Sequence, residues 1–428
     1  MELSRILERV EGSRSAMASD ISGIIRILAI GPSNGGTGEL ARADHVQSLL
    51  KGFDSVERYD TPDRFHPDVI RPNIVAKRNG SGKGTVWIVS HLDTVPPGDL
   101  DKWVSPPFEP RAEGGRVYGL GAEDNGQAII SSIYAAKAIP PGRLSGRSMG
   151  LAIVADEETT SAMGVEHLLK QGCFTEDDFI IVPDWGTEGG TMIEVAEKHL
   201  LWVKFTIKGR QTHGSVPHKG INALRVGTDF LSDLMDRLDK AYGDEDPYFR
   251  PPGSTLEPTR ASPTVENVNT IPGIYEFWMD CRIIPSQDPD EILGLMRSVA
   301  AEHSERTGAE ISAEVEQKTL AGAPSATDTE EFAVFLEAVR SVAEGDVETV
   351  GVGGGTCANF FRLRGLNAYV WQFGGGSLHQ PNELMQMTID MQVEFGGGSL
   401  HQPNEYVEID NIVKDAKVYA TMFYRLCV

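Results

Sequence analysis

Cysteine is scarce and scattered: Cys173, Cys281, Cys357 and Cys427 are the only four in 428 residues, and no two form a Cys-x-x-Cys pair. That pattern offers neither a disulfide framework nor a thiolate zinc site. No apolar stretch approaches the roughly 20 residues that a bilayer-spanning helix needs. The opening Met1-Glu-Leu-Ser-Arg5 also lacks the basic-then-apolar pattern of a secretory signal, so a cytoplasmic location is expected. Positive charge is short as well. Lys and Arg number 39 against 62 Asp and Glu, a formal charge of -23, which argues against nucleic acid and anionic membranes as partners.

What the chain has instead is an ordered series of potential metal ligands, each placed where an apolar run ends: His91-Leu-Asp93, Asp124, Glu157-Glu158, Asp184 and a late histidine. Two divalent ions that share one carboxylate can be held by two imidazoles and three carboxylates. A bridging water is then left as nucleophile and a further carboxylate as its base. His91 and Asp93 sit at i and i+2 of an extended segment, on one face, so the Asp93 carboxylate is expected to hold the far ring nitrogen of His91. Asp124 lies in a glycine-rich turn at a helix start, where it could bridge two ions or simply cap the helix. The adjacent carboxylates Asp156-Glu157-Glu158 repel one another unless cations compensate. This makes Glu158 a candidate ligand and Glu157 a candidate general base with a raised proton affinity. Singly each position has a bland explanation, but jointly they point to a metal centre.

The surrounding pattern reads as strands alternating with helices. Apolar runs at 86–90, 150–154 and 179–182 alternate with helical spacing at 126–138 and 162–171, which predicts a mostly parallel sheet covered by helices. Ligands of such open sheets gather beyond the carboxyl ends of the strands, where His91, Glu158 and Asp184 fall. A second pattern, from strand 200–208 through helices 222–242 and 289–307 to strand 309–317, reads as a small α+β domain. The first style returns after Asp328. The expected division is therefore a catalytic domain of 1–197 and 320–428 with an inserted domain of 198–319. One further feature stands apart. The eleven residues Phe-Gly-Gly-Gly-Ser-Leu-His-Gln-Pro-Asn-Glu occur at 373–383 and again, identically, at 395–405. Two perfect copies suggest a recent local duplication, or an artefact in how the gene was assigned, rather than a solenoid. Only one of His379 and His401 is expected to reach the metals, and His401 is preferred because a long loop is easier to absorb before the ligand than after it.

The segments SHLDTVPPGD, GLGAEDNGQ, ADEETTS, VPDWGT, GRQTHGSVPHKGINA, NTIPGIYEFWMDCR and LHQPNEYV resemble, in order and spacing, the M20 metallohydrolases. That family includes acetylornithine deacetylase, succinyl-diaminopimelate desuccinylase, aminoacylases and carboxypeptidases, and the resemblance spans nearly the whole chain. It implies a zinc-peptidase α/β domain with an inserted lid that usually forms a homodimer, and two Zn2+, with Co2+ or Mn2+ acceptable to the same donors. His91, Asp124 and Asp184 would hold one ion, and Asp124, Glu158 and His401 or His379 the other. Glu157 would be the base and Asp93 the partner of His91. His213 matches the lid histidine that steadies the oxyanion in the neighbouring subunit's site. Asn269 and Arg282 match substrate-holding positions, Arg282 through a carboxylate; read without the resemblance, Arg282 is a structural partner of Asp280. Gly353-Gly-Gly-Thr-Cys357 resembles the family's glycine-rich loop, which implies substrate contacts at Gly354 and Thr356. It carries Cys357 where an Asp is common. The implied activity is cleavage of an N-acyl amino acid, of desuccinylase or deacetylase type. The alternatives are a di- or carboxypeptidase on the same scaffold, or a non-catalytic metal-binding relative acting as a binding protein.

Overall fold

The computed structural model describes residues 2–262, 264–374 and 403–428. The histidines His379 and His401 both lie outside the described residues. The chain divides into two compact units: 1–195 with 323–349 and 356–428, and 196–322 with 350–355. The sequence reading set these boundaries at 197/198 and 319/320. Val350–Gly355, expected in the first unit, clusters with the second.

The first unit holds most of a nine-stranded mixed sheet, most of it parallel. Its order is Ser55–Arg58, Ile74–Arg78, Ser148–Val154, Thr85–His91, Phe179–Thr187, Ala368–Phe373, Met192–Glu197, Glu348–Val352 and Phe249–Arg250. Ser148–Val154, Thr85–His91, Phe179–Thr187 and Ala368–Phe373 run parallel through its centre. Every residue of Thr85–His91 is buried, as a strand covered on both faces must be, which explains its unbroken apolar run. On one face Trp87, Val89, Ala152, Val154, Ile180 and Val182 pack with Val165, Leu168 and Phe361. The other face meets helices Ala128–Ala138 and Ile409–Cys427. Met192–Glu197 and Glu348–Val352 begin in the first unit and end in the second, where Phe249 and Arg250 pair with Gly351 and Val352.

The second unit has a four-stranded antiparallel sheet in the order Thr255–Ala261, Ile274–Ile283, His199–Lys208, Glu310–Thr319. Alternation along His199–Lys208 turns Leu201, Val203, Phe205 and Ile207 inward, onto the helix stripe Val226, Phe230, Leu234 and Leu238. Each such buried side chain contributes roughly 1.5–3 kcal/mol. Helix Pro289–Thr307 matches the expected bounds because its ends are written locally. Asp288 caps the first turn, Pro289 opens it, and Gly308 closes it at φ 73°.

Two boundaries differ from the sequence reading for physical reasons. The strand expected to end near Val182 continues to Thr187. Between Val182 and Gly186 it takes two more residues than its neighbour Val370–Gln372, so Pro183, Asp184 and Trp185 lie on a bulge. Proline lacks an N–H and is accommodated at such a place. The helix expected from Gly126 starts at Ala128, after a kinked turn, Ala122–Gln127, in which Asp124 and Asn125 are non-helical and their shared peptide is cis.

Candidate metal centre

His91 closes its strand with a ring only 2 % exposed. Its Nδ1 lies 3.1 Å from the backbone carbonyl of Asp93, so donation there leaves Nε2 free to bind. Nε2 is 2.7 Å from Asp124 Oδ1 and 3.3 Å from Asp184 Oδ1. Two three-residue sets with ligand atoms within 4.8 Å of one another share this imidazole: His91, Asp124 and Glu158, and His91, Glu157 and Asp184. The strand ends and the Ala122–Gln127 turn therefore bring together His91, Asp124, Glu157, Glu158 and Asp184, five of the six expected residues described for this site.

Asp93 departs from expectation. Its carboxylate is 3.5 Å from His91 Nδ1, farther than its own carbonyl. The Oδ1 and Oδ2 atoms instead accept the backbone N–H groups of Glu157 and Glu158, at 3.1 and 3.0 Å. The reason lies in the sheet. Leu92 N–H donates to Val154 O, which continues the pairing one residue past the strand and delivers Asp93 to the loop after its parallel neighbour. Asp156, first of the acidic triplet, faces away from the ligand set. It sits at φ 66°, accepts from Thr160 Oγ1 and Met163 N–H, and pairs with buried Arg71 at 3.1 Å.

Asp124 and Asp184 are tied to each other by Asn125, whose Nδ2 donates to Pro183 O at 2.7 Å and to Asp184 Oδ1 at 3.0 Å. Glu405, 1 % exposed, accepts the N–H groups of Gly121, Glu123 and Asp124 at 3.0, 2.9 and 3.2 Å. Gly121 is at φ 78°, and a Cβ there would lie 2.7 Å from Thr94 Cγ2, so the turn requires glycine. Glu405, Asn125 and Arg71 escaped the sequence reading. Of these only Glu405 carries a sequence signal, as the close of the repeated motif.

The electrostatics favour a cation. Burial opposes charge on His91, but Asp124 and Asp184 outweigh it and hold its pKa well above 6.5. Glu157 is pushed well above the ordinary carboxylate range, first by burial, then by Asp184, with Glu158 and Asp124 adding to the repulsion and His91 opposing it. Four carboxylates crowded around one imidazole are the donor set that divalent Zn, Co or Mn accepts. The residues therefore fit such ions.

The remaining candidates lie mainly in the second unit. His213 and Asn269 are brought together, since His213 pairs with Thr270 and Gly214 N–H donates to Asn269 O at 2.7 Å. Both side chains are exposed. Ser215 N–H donates to His213 Nδ1, which places the proton of the neutral ring on Nε2. Arg282 is engaged by Asp280 through Nε and Nη2, at 2.8 and 3.2 Å, and by Gly353 O through Nη1. This is the structural pairing that its neighbour Asp280 allowed. Gly354 is exposed. Thr356 Oγ1, in the first unit, accepts from Ala358 N–H at the start of a short helix.

Residues 87–392 match the model of peptidase family M20/M25/M40. The chain is 37 % identical over 418 residues, 93 % of it and 96 % of the relative, to a metallohydrolase of Methanocaldococcus jannaschii described as uncharacterized. It is 28 % identical over 320 residues, 73 % of it and 78 % of the relative, to succinyl-diaminopimelate desuccinylase of Caulobacter vibrioides. Its fold is similar to that of the di-peptidase Dug1p of Saccharomyces cerevisiae, with a TM-score of 0.72 and 16 % identity over 98 % of this chain and 97 % of that one. With the family match covering well over half of its length, the chain belongs to the metal-dependent M20 hydrolases, enzymes that act on amide and peptide bonds.

Proposed function

We propose that this chain holds two divalent ions, Zn2+ with Co2+ or Mn2+ as acceptable substitutes, and cleaves the amide of an N-acyl amino acid, of succinyl or acetyl type. The observation that carries the reading is His91 Nε2 within 3.3 Å of carboxylate oxygens from both Asp124 and Asp184, with Glu158 and Glu157 completing the two ligand sets. In this reading Asp124 bridges, His91 and Asp184 serve one ion, and Glu158 serves the other together with a histidine of the repeated motif. Glu405, four residues after His401, is tied to the Asp124 turn, which supports His401 over His379.

Ions bound there supply a Lewis acid for the scissile carbonyl and for the attacking water. The chain's own groups do the rest. Glu157, whose surroundings raise its proton affinity, takes the proton of the water and delivers it to the departing nitrogen. His213 has its Nδ1 occupied by Ser215, so Nε2–H is the donor for the oxyanion; in the homodimer that this reading includes, it serves the partner's site. Asn269, Gly354 and Thr356 contact substrate. Arg282 has Asp280 and Gly353 as partners already, so its part in binding an acidic group is shared with holding the glycine loop.

The likeness to a desuccinylase over 78 % of that relative supports the acyl class. The test is a panel on the metal-loaded chain: N-succinyl-diaminopimelate, N-acetylornithine, a further N-acyl amino acid and a dipeptide. Fastest turnover of an N-acyl amino acid is expected. Turnover of the dipeptide alone would move the assignment to a peptidase, and full metal loading without turnover of any member would move it to a binding protein.

A further inference from the structure

Two carboxylates beside the metal centre are placed for something other than binding an ion. Asp93, 1 % exposed, commits one oxygen to the N–H of Glu157 and the other to the N–H of Glu158. Glu405, equally buried, commits one oxygen to Gly121 N–H and the other to the N–H groups of Glu123 and Asp124. Each buried carboxylate thus grips, through the backbone, the loop that carries a ligand or the base. Behind them stand two buried arginines. Arg71 pairs with Glu39 at 2.8 Å, Asp63 and Asp156 at 3.1 Å, and approaches Asp93 at 4.0 Å. Arg42 donates to Ile27 O and to Leu92 O, the latter next to Asp93 in the chain. Buried polar groups are stable only when hydrogen-bonded, and both oxygens of each carboxyl have backbone N–H partners.

We propose that Asp93 and Glu405 are positioning residues, a pair of buried carboxyl clamps that fix the Glu157–Glu158 loop and the Asp124 turn independently of each other and before any metal binds. This rests on the reading of the site as a metal centre. In the duplicated motif it assigns the Asp124 clamp to Glu405, the second copy, and not to Glu383.

The isosteric variants Asp93→Asn and Glu405→Gln test it directly. Both oxygens of each group are in use, so replacing either by an NH2 turns a donor toward a donor. Amide hydrogen exchange is read by mass spectrometry on metal-free protein, in peptides spanning 119–127 and 155–162. Losing a hydrogen bond of about 1–1.5 kcal/mol speeds exchange roughly tenfold. Glu405→Gln is expected to accelerate 119–127 and leave 155–162 as in the wild type, while Asp93→Asn does the reverse. Glu383→Gln is expected to change neither. A merely structural role would move both peptides together, and that result overturns the proposal. It is overturned equally by unchanged exchange in the targeted peptide, or by acceleration of 119–127 in Glu383→Gln. If an amide variant does not fold, Asp93→Glu and Glu405→Asp keep the carboxyl and displace the acceptors, and the same crossed pattern decides. In the folded variants, metal affinity by chelator competition is expected to fall roughly 10–100-fold. A wild-type chain that binds no metal would defeat the functional reading, while the exchange pattern would still decide this one.

Discussion

Replacing Glu157 by Gln separates what the residue does in catalysis from what it does to the fold. The carboxyl is enclosed with Asp184, Glu158 and Asp124 around it, and its proton is held well above the usual range by burial first and by those charges next. As general acid and base it is assigned about 10²–10⁴ of the rate, or roughly 3–5 kcal/mol at 1.36 kcal/mol per decade. The amide side chain fills the same space, so kcat is expected to fall by that factor with KM little changed. Stability moves the other way. A carboxyl whose folded pKa lies above its unfolded one binds more protons in the native state, so its contribution is full below the unfolded value near 4.5 and is lost as pH rises toward the folded value. The slope is up to about 1.4 kcal/mol per pH unit for one proton. Metal-free Glu157→Gln is therefore expected to be more stable than the metal-free wild type once pH rises above the ordinary value of 4.5, and to depend less on pH there. Steady-state kinetics on loaded protein and urea unfolding of the apoprotein at several pH values check both halves. A variant that keeps wild-type kcat, or whose apoprotein is less stable with the same pH slope, refutes the reasoning.

Asp415 offers a pH test away from the ligands. Its carboxyl is pushed up to about 8 by burial, against the opposing hydrogen bonds from Phe373 and Gln127. Between its ordinary 3.8 and 8 the folded state holds the extra proton, so wild-type stability relative to Asp415→Asn should fall by about 1.4 kcal/mol per pH unit from about pH 5 to 8; a flat difference in urea unfolding would contradict this. His379→Ala and His401→Ala should differ, with only His401→Ala losing roughly 10²-fold in activity, the upper end of losses at metal shells; equal activities would remove His401 from the ligand set. Excising 374–395 leaves a single Phe373-Gly-Gly-Gly-Ser-Leu-His-Gln-Pro-Asn-Glu motif. Both of its anchors, Phe373 O on Gln127 and Glu405 on Asp124, meet the kinked Ala122–Gln127 turn, so the shortened chain should fold and bind metal as before, by thermal melting and metal analysis. His213→Ala should lower kcat by about 10²–10³, the worth of one oxyanion donor, without changing metal content.

The candidate metal-centre residues were legible because parallel strands covered on both faces advertise themselves as apolar runs, and His91, Glu157, Glu158 and Asp184 stand where those runs end. Pro183 hid the bulge: it reads as a strand terminus, whereas the strand resumes to Thr187. Met192–Glu197 went unseen because Glu194, fully buried, breaks its apolar pattern, and its tertiary pair with Arg362 at 2.7 Å helps make that burial tolerable. Ser55–Arg58 is a short edge strand with no buried residue to mark it. The clamp by Glu405 joins residues 281–284 apart in the chain, and no local pattern encodes such a contact. Local grammar set helix ends such as Asp288-Pro289 and Gly308, while buried polar partners emerged only from the packed fold.

The central claim is that His91, Asp124, Glu158 and Asp184 hold metal, and metal content per chain in the wild type and in Asp124→Asn tests it most directly. With Asp124 as the shared ligand, the purified wild type should carry close to two divalent ions per chain, and Asp124→Asn should retain the fold by circular dichroism and lose both. A wild type without bound metal, or an Asp124→Asn chain that keeps its full complement, would contradict the account.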